Sequence, residues 1–156
     1  MQSFTLQNLK PYTMRLKKIF SFGNILDRDT YEQLRELDYN NPNFKGCADE
    51  FQFNREWWVM LDDMSRIVAY CGSIYSKGIC IFNRAWVHKD YRGQGIQRRM
   101  IKTRLKAAST FCHIAITYTT LDNFPSANNL IDCGFRLYLP EYSYGGSDKL
   151  YYQKLL

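Results

Sequence analysis

The stretch Ala85 to Ile101 reads AWVHKDYRGQGIQRRMI: a β-forming run enters a turn with glycines at 93 and 95 and leaves it as a helix. A strand, a glycine turn and a helix in succession present the first backbone N–H groups of the helix, and the positive end of its dipole, at the mouth of the turn. An anion is favoured there, and Gly93 and Gly95 let a phosphate come close to the main chain. Two common nucleotide patterns do not fit. The loop GxxxxGK[ST] is absent and GxGxxG fails because position 98 is Arg, which argues against a nucleoside triphosphate or a dinucleotide. The same junction concentrates charge. The chain carries 21 Lys and Arg against 15 Asp and Glu, a net charge of +6, yet Arg92 to Lys106 alone holds six bases and no acid. A polyanionic partner is expected: nucleic acid, a membrane surface or a phosphorylated cofactor.

The rest of the chain supplies elements on both sides of this junction. Asp29-Thr30-Tyr31-Glu32 reads as a capping box, and Tyr31, Leu34 and Leu37 continue at helical spacing, predicting a helix over 29–38. Before it, Met14 to Phe22 and Phe4 to Leu9 compete for the role of first strand. Asn40 to Arg55 reads as loop or short helix. Trp57 to Leu61, Arg66 to Tyr75 and Ile79 to Val87, separated by turns at Asp62 to Ser65 and Lys77-Gly78, read as an antiparallel meander. After the glycine turn, Ile96, Met100, Ile101, Leu105 and Ala108 form a candidate buried stripe, with Arg98, Arg99, Lys102 and Lys106 facing out. Cys112 to Tyr118 is a strand. Asn123 is a candidate N-cap, Pro125 fits the first turn, and Gly134 stops the short helix between them. Phe135 to Leu139 and Lys149 to Leu155 are the last strands. The order gives an α/β fold with a mixed sheet, and with 156 residues, 46% of them apolar, and no repeat or linker, a single domain over 1–156 is expected.

Several classes fall away. The longest apolar runs are far short of the roughly 20 residues of a membrane helix, and the opening MQSFTLQNLKPYTMRLKKIF lacks the apolar stretch of a secretory leader, so a cytoplasmic location and no membrane partner are expected. Five cysteines, widely spaced and accompanied by two histidines, form no CxxC pair, which disfavours both a disulfide framework and a metal site.

The run Val87 to Gln97, VHKDYRGQGIQ, resembles the acetyl-CoA loop of GNAT N-acetyltransferases, whose pattern [RQ]-x-x-G-x-[GA] follows a strand. Arg92 and Gly95 fill two positions, and Gln97 departs from the third, where a small residue is usual. A second segment, Asn123-x-x-Ser126 followed by Leu130 and Gly134-Phe135, is similar to the N-x-x-[AS]…GF helix of the same family. The element order matches as well. The resemblance implies the GNAT acyl-CoA N-acyltransferase fold: a mostly antiparallel central sheet, splayed at the CoA site and flanked by helices.

It also implies a site. The pantetheine arm of acetyl-CoA, the cosubstrate, would be bonded by main-chain groups of Trp86, Val87 and His88, and the pyrophosphate by the N–H groups of Gly93, Gln94, Gly95, Ile96 and Gln97, with Arg92, Asn123 and Ser126 also at the cofactor. The carbonyl-polarising N–H would fall near Val87. The family's basic Glu on the strand is missing from Ile79 to Val87, which leaves Glu50, Glu56, Asp62, Asp63 and His113 as candidates, Glu56 foremost. The family's thiol-protonating Tyr aligns with Leu130, so Ser126 is the first choice of donor, with Tyr118, Tyr142 and Tyr144 as alternatives. Asn43 to Asp63 carries a local balance of minus three, favouring a cationic amine. No metal ligand set is implied.

The expected function is therefore acetyl transfer from acetyl-CoA to a primary amine by direct attack on the thioester. Two other functions compete: a basic nucleic-acid-associated acyltransferase or binder, and a CoA-binding regulatory protein that has diverged from catalysis. A homodimer is a further possibility.

Overall fold

In the computed structural model, which describes residues 13–44 and 55–156, eight strands form one sheet in the order β2-β1-β3-β4-β5-β6-β8-β7. The strands are β1 (Arg15–Ser21), β2 (Asn24–Ile25), β3 (Arg55–Leu61), β4 (Ile67–Ser76), β5 (Ile79–Val87), β6 (Ile114–Thr120), β7 (Arg136–Leu137) and β8 (Lys149–Leu155). The helices are α1 (Arg28–Tyr39), α2 (Ile96–Ala108) and α3 (Phe124–Asp132), with short 3-10 turns at Pro42–Phe44 and Lys89–Tyr91. Every neighbouring pair is antiparallel except β5 with β6. No helix among the described residues is long and apolar enough to cross a membrane.

β3 shows why the sheet is covered on both faces. Trp57, Val59 and Leu61 pack with Tyr31 and Leu34 of α1, whereas Met60 packs with Ile96 and Met100 of α2. Alternate side chains leave opposite faces of a strand, so α1 lies on one face and α2 on the other. Phe82, Ile101, Leu130 and Phe135 extend the α2 face to α3.

The meander, α2 and β8 match their sequence-based boundaries closely. Three expectations are settled or shifted. Met14 to Phe22 is the first strand as β1, while Phe4 to Leu9 lies outside the described residues. The cap of α1 is Asp27, two residues before the expected box, because its carboxylate accepts from both Thr30 N (3.2 Å) and Thr30 Oγ1 (2.9 Å). The strand after Gly134 shortens to Arg136–Leu137, since the chain leaves β8 after pairing only with Tyr152 and Gln153. Arg104, one of the six bases between Arg92 and Lys106 and given no face by the sequence reading, is 2% exposed. Spaced four residues from both Met100 and Ala108, it lies on the buried stripe.

Two irregularities shape the centre of the sheet. β5 and β6 pair only at Ile79–Ile114, Cys80–Ala115 and Ile81–Ile116, after which the two strands separate. Within β5, Tyr70 pairs with Trp86 and Gly72 with Asn83, so Cys71 alone faces both Arg84 and Ala85. This is a bulge, and Arg84 within it takes a left-handed conformation, at φ 52°. The bulge reverses the alternation. Phe82 points to the α2 and α3 face, while Trp86, four residues on, stacks near Tyr70 on the α1 face.

Candidate active site

A cleft of about 870 Å3 occupies the gap between β5 and β6. It passes through the sheet. Phe82, Ile101 and Leu130 line it on the α2 and α3 face, and Phe44, Arg84 and Trp86 line it on the α1 face. The parting of the strands opens this passage, and the bulge supplies side chains to both of its mouths.

The open end of the gap meets the start of α2. Asp27 caps α1 and Asn123 caps α3 through Ser126 N, but Gly95, at φ 75°, caps α2 with no side chain at all. The first N–H groups of α2 therefore have no side-chain acceptor. They stand beside Arg92, Gly93, Ile96 and Gln97, all of which line the cleft. An Asp, Asn or Ser at position 95 would close this end by accepting from it; glycine keeps it open to an anion.

The last turn of β5 has a defined polarity. His88 N donates to Val68 O at 2.8 Å, toward β4. Successive N–H groups of a strand point in opposite directions, so Val87 N–H faces the gap. The Val87 carbonyl accepts from Arg92 Nε at 3.0 Å, which ties the motif arginine to the strand it follows. His88 behaves differently from Trp86 and Val87. Its N–H is used by Val68, its carbonyl accepts from Tyr91 N, and its Nδ1 accepts from Asp90 N. It does not line the cleft; nor do Gln94 and Gly95, although Gly95 sits at the adjoining surface with Arg99, Lys102 and Lys106.

Glu56 stands apart. Its carboxylate accepts from Lys18 Nζ (2.8 Å), Ser21 Oγ (3.1 Å) and Tyr75 OH (2.7 Å), and it is 3% exposed. It forms a buried ion pair outside the cleft. Asp62 is likewise spent, accepting from Met64 N, Arg66 N and Arg66 Nε, and these bonds lower its pKa despite burial. Asp63 is exposed in the β3–β4 turn. His113 packs against Gly78 at the closed end of the gap, and Glu50 lies outside the described residues. Among the described residues lining the cleft there is no carboxylate or histidine; its charged side chains are Arg84, Arg92, Arg104 and Lys149. The negative local balance of Asn43 to Asp63 is therefore reduced, because Glu56 and Asp62 are neutralised inside the fold.

The hydroxyl candidates separate by position. Ser126 stands in the first turn of α3, facing α2, and Gln97 Nε2 donates to its Oγ at 2.7 Å. Tyr118 stands on β6 just past its last pairing with β5, lines the cleft, and its hydroxyl bonds to no other described residue. Tyr144 OH donates to Thr117 O, and burial raises its pKa. Tyr142 is 79% exposed. Arg104 is the cleft residue that motif reading misses. It donates to Gly72 O at 3.1 Å and lies 4.2 Å from the Phe82 ring centre. Its spacing on the apolar stripe is the signal that marks it.

The acetyltransferase (GNAT) domain family model matches residues 53–136. No curated protein matches the chain. Among solved structures the chain is similar to an acetyltransferase of the GNAT family from Staphylococcus aureus MU50, at 18% identity over 90% of this chain and 99% of that one, with a TM-score of 0.67. It is also similar to an acetyltransferase from Streptococcus agalactiae 2603, at 17% identity, 92% and 98% coverage and a TM-score of 0.69. The ribosomal-protein-S18-alanine N-acetyltransferase from Escherichia coli follows at 10% identity, 91% and 93% coverage and a TM-score of 0.70. With the family match spanning more than half of its residues, the chain belongs to the GNAT acetyltransferase domain family.

Proposed function

We propose that the protein transfers an acetyl group from acetyl-CoA to a primary amine by direct attack of the amine on the thioester. The observation that carries this reading is the uncapped start of α2 at the open end of a through-sheet cleft, with Val87 N–H turned into the gap. Phosphates suit the first of these features and an extended thioester arm suits the second. Acetyl-CoA would supply the activated acetyl group.

The chain's own residues then have separate tasks. The α2 N–H groups and Arg92 hold phosphate charge. Trp86 and Val87 border the arm, and Val87 N–H donates to the acetyl carbonyl oxygen as negative charge grows there. Asn123 and Ser126 face the arm from α3. Tyr118, placed where the strands part, donates its proton to the departing sulfur. The amine nitrogen forms the new C–N bond as the C–S bond breaks, and its surplus proton passes through water at the cleft mouth to restore Tyr118. The amine must arrive neutral, so the rate rises with pH.

The test measures melting temperature with and without acetyl-CoA, then thiol release with a panel of primary amines. A stabilised protein that releases CoA with at least one amine is the expected result. No shift at millimolar acetyl-CoA overturns the reading, and a shift with no thiol release from any amine replaces it with the CoA-binding regulatory function.

The basic surface of α2 favours a second reading. Arg98 is paired with Asp132 at 2.7 Å, but Arg99, Lys102 and Lys106 form no ion pair with a described acidic residue. An acyltransferase that docks on nucleic acid would use them, and its binding to an oligonucleotide would fall steeply with salt. Binding that is absent, or indifferent to salt, removes this reading.

A further inference from the structure

Gln97 occupies the position in the turn where the resemblance calls for a small residue. Its side chain is turned away from the first N–H groups of α2 and spans to α3. Asn129 Nδ2 donates to Gln97 Oε1 at 3.0 Å, and Gln97 Nε2 donates to Ser126 Oγ at 2.7 Å. The first bond fixes the sense of the second. With its oxygen occupied by a donor from Asn129, the Gln97 amide can offer only N–H to Ser126, so Ser126 Oγ must accept.

A hydroxyl that accepts on one side keeps its own proton for another partner. Ser126 donates to no described residue, and it lines the cleft. An accepted hydrogen bond also polarises the O–H that remains, making it a better donor. The clasp thus leaves the Ser126 O–H free to donate into the gap. In the proposed reaction, the ligand group on this side that needs a donor is an amide carbonyl of the pantetheine arm.

We propose that Gln97 is a positioning residue for the CoA arm: locked by Asn129, it sets Ser126 to donate to a carbonyl oxygen of pantetheine. This rests on the transferase reading only in taking CoA as the ligand. The Gln97 side chain touches no ligand in this scheme and acts through Ser126.

The experiment measures binding of CoA, and of adenosine 3′,5′-bisphosphate, by calorimetry. The bisphosphate carries phosphate charge without the arm. The proteins are the wild type, Gln97→Glu, Ser126→Ala and the double variant. Glutamate keeps the shape of the bridge and still accepts from Asn129, but it also accepts from Ser126 and takes that proton from the cleft. Ser126→Ala is expected to weaken CoA about fivefold, the size of one neutral hydrogen bond, and to leave the bisphosphate unchanged. Gln97→Glu should weaken CoA by a similar factor beyond any change it causes in the bisphosphate, and this extra loss should vanish in the double variant. Equal losses of CoA in the presence and absence of the Ser126 hydroxyl overturn the proposal and assign the effect to charge repulsion. So does a CoA affinity indifferent to Ser126→Ala. A wild type that binds CoA while the cycle is additive leaves the transferase reading standing and removes this inference alone; a wild type that does not bind CoA removes both. Melting temperatures of the four proteins identify a variant that has lost its fold, in which case Gln97→Met, which removes the bridge without adding charge, takes the place of Gln97→Glu and should show the same dependence on Ser126.

Discussion

Thr117 Oγ1 donates a 2.9 Å hydrogen bond to the carbonyl oxygen of Phe82, at the first position where β5 and β6 cease to pair. A side chain takes up the carbonyl that the parallel ladder leaves behind. Thr117 is 7% exposed and Phe82 is 2% exposed, so that oxygen has little access to water. The bond therefore marks the apex of the cleft, where the two strands separate.

Removing that donor should loosen the apex without changing its shape. Thr117→Val is expected to lower stability by about 1–2 kcal/mol, the cost of a buried acceptor left without a donor, measured by urea unfolding. Because the apex borders the path proposed for the thioester, KM for acetyl-CoA should rise in the same variant. An unchanged unfolding midpoint would show that the carbonyl finds another donor.

Tyr118 is held by the chain that connects β7 to β8. A methyl group on Gly145 would stand 2.5 Å from Tyr118 Cε1 and 2.7 Å from Cζ, so the glycine lets this connection lie against the ring. Tyr144 and Tyr151 secure the same connection, the first to Thr117 O and the second to the main chain at Gly145 and Gly146. Tyr118→Phe should cut kcat about 10- to 100-fold, the range for a hydrogen bond to a charged group, with little change in KM for acetyl-CoA. Gly145→Ala should reduce kcat by displacing the ring. In a Tyr118→Ala background, where no ring obstructs the methyl, Gly145→Ala should have no further effect on kcat.

Asp27 links α1 to β1 and carries a pH dependence. The hydrogen bond from Lys17 Nζ (2.6 Å), followed by that from Thr30 N–H, lowers its pKa from 3.8 to about 2. A carboxylate depressed in the folded state binds protons more readily in the unfolded chain, so its stabilisation is present above about pH 4 and is lost as pH falls toward 2. The side chain is 22% exposed, and screening brings the contribution to about 1 kcal/mol. Asp27→Asn should unfold with a shallower pH dependence than the wild type across that window. Asp27→Ala, which also removes the cap, should cost about 2 kcal/mol at neutral pH.

Arg104 is a buried cation whose partners are two main-chain carbonyls and a ring. It donates to Gly72 O and, at 3.4 Å, to Met100 O, and it lies over Phe82. Truncation would leave the Gly72 carbonyl without its donor and open space beside Phe82. Arg104→Ala should lose about 2–4 kcal/mol in urea unfolding. Arg104→Met, which refills the volume and removes the buried charge, should recover most of that loss.

The features that local chemistry controls can be read directly from the residues. Asn123 and Gly134 bound α3 because a cap and a left-handed exit depend on the backbone within a few residues. The strand, turn and helix from Ile79 to Ala108 follow from glycine placement and periodicity, and with them the start of α2 that no side chain caps. Even Arg104 is legible, by its spacing on the stripe.

What local chemistry cannot control is which groups meet across the sheet. Glu56 has the chemistry of a base, but whether it faces solvent, substrate or Lys18 depends on the register of β1 against β3, more than thirty residues apart in the chain. The fate of Gln97 depends on α3 docking beside α2, which brings Ser126 and Asn129 within reach of its amide. The bulge at Arg84 is likewise set by pairing with β4, and it reverses the face that alternation assigns to Trp86. Sequence periodicity therefore identifies the elements and the glycine turn that opens α2. The through-sheet passage, the removal of Glu56 from it and the presentation of Ser126 arise only when distant strands and helices pack, because a hydrogen bond or ion pair is specified by distance in space and not along the chain.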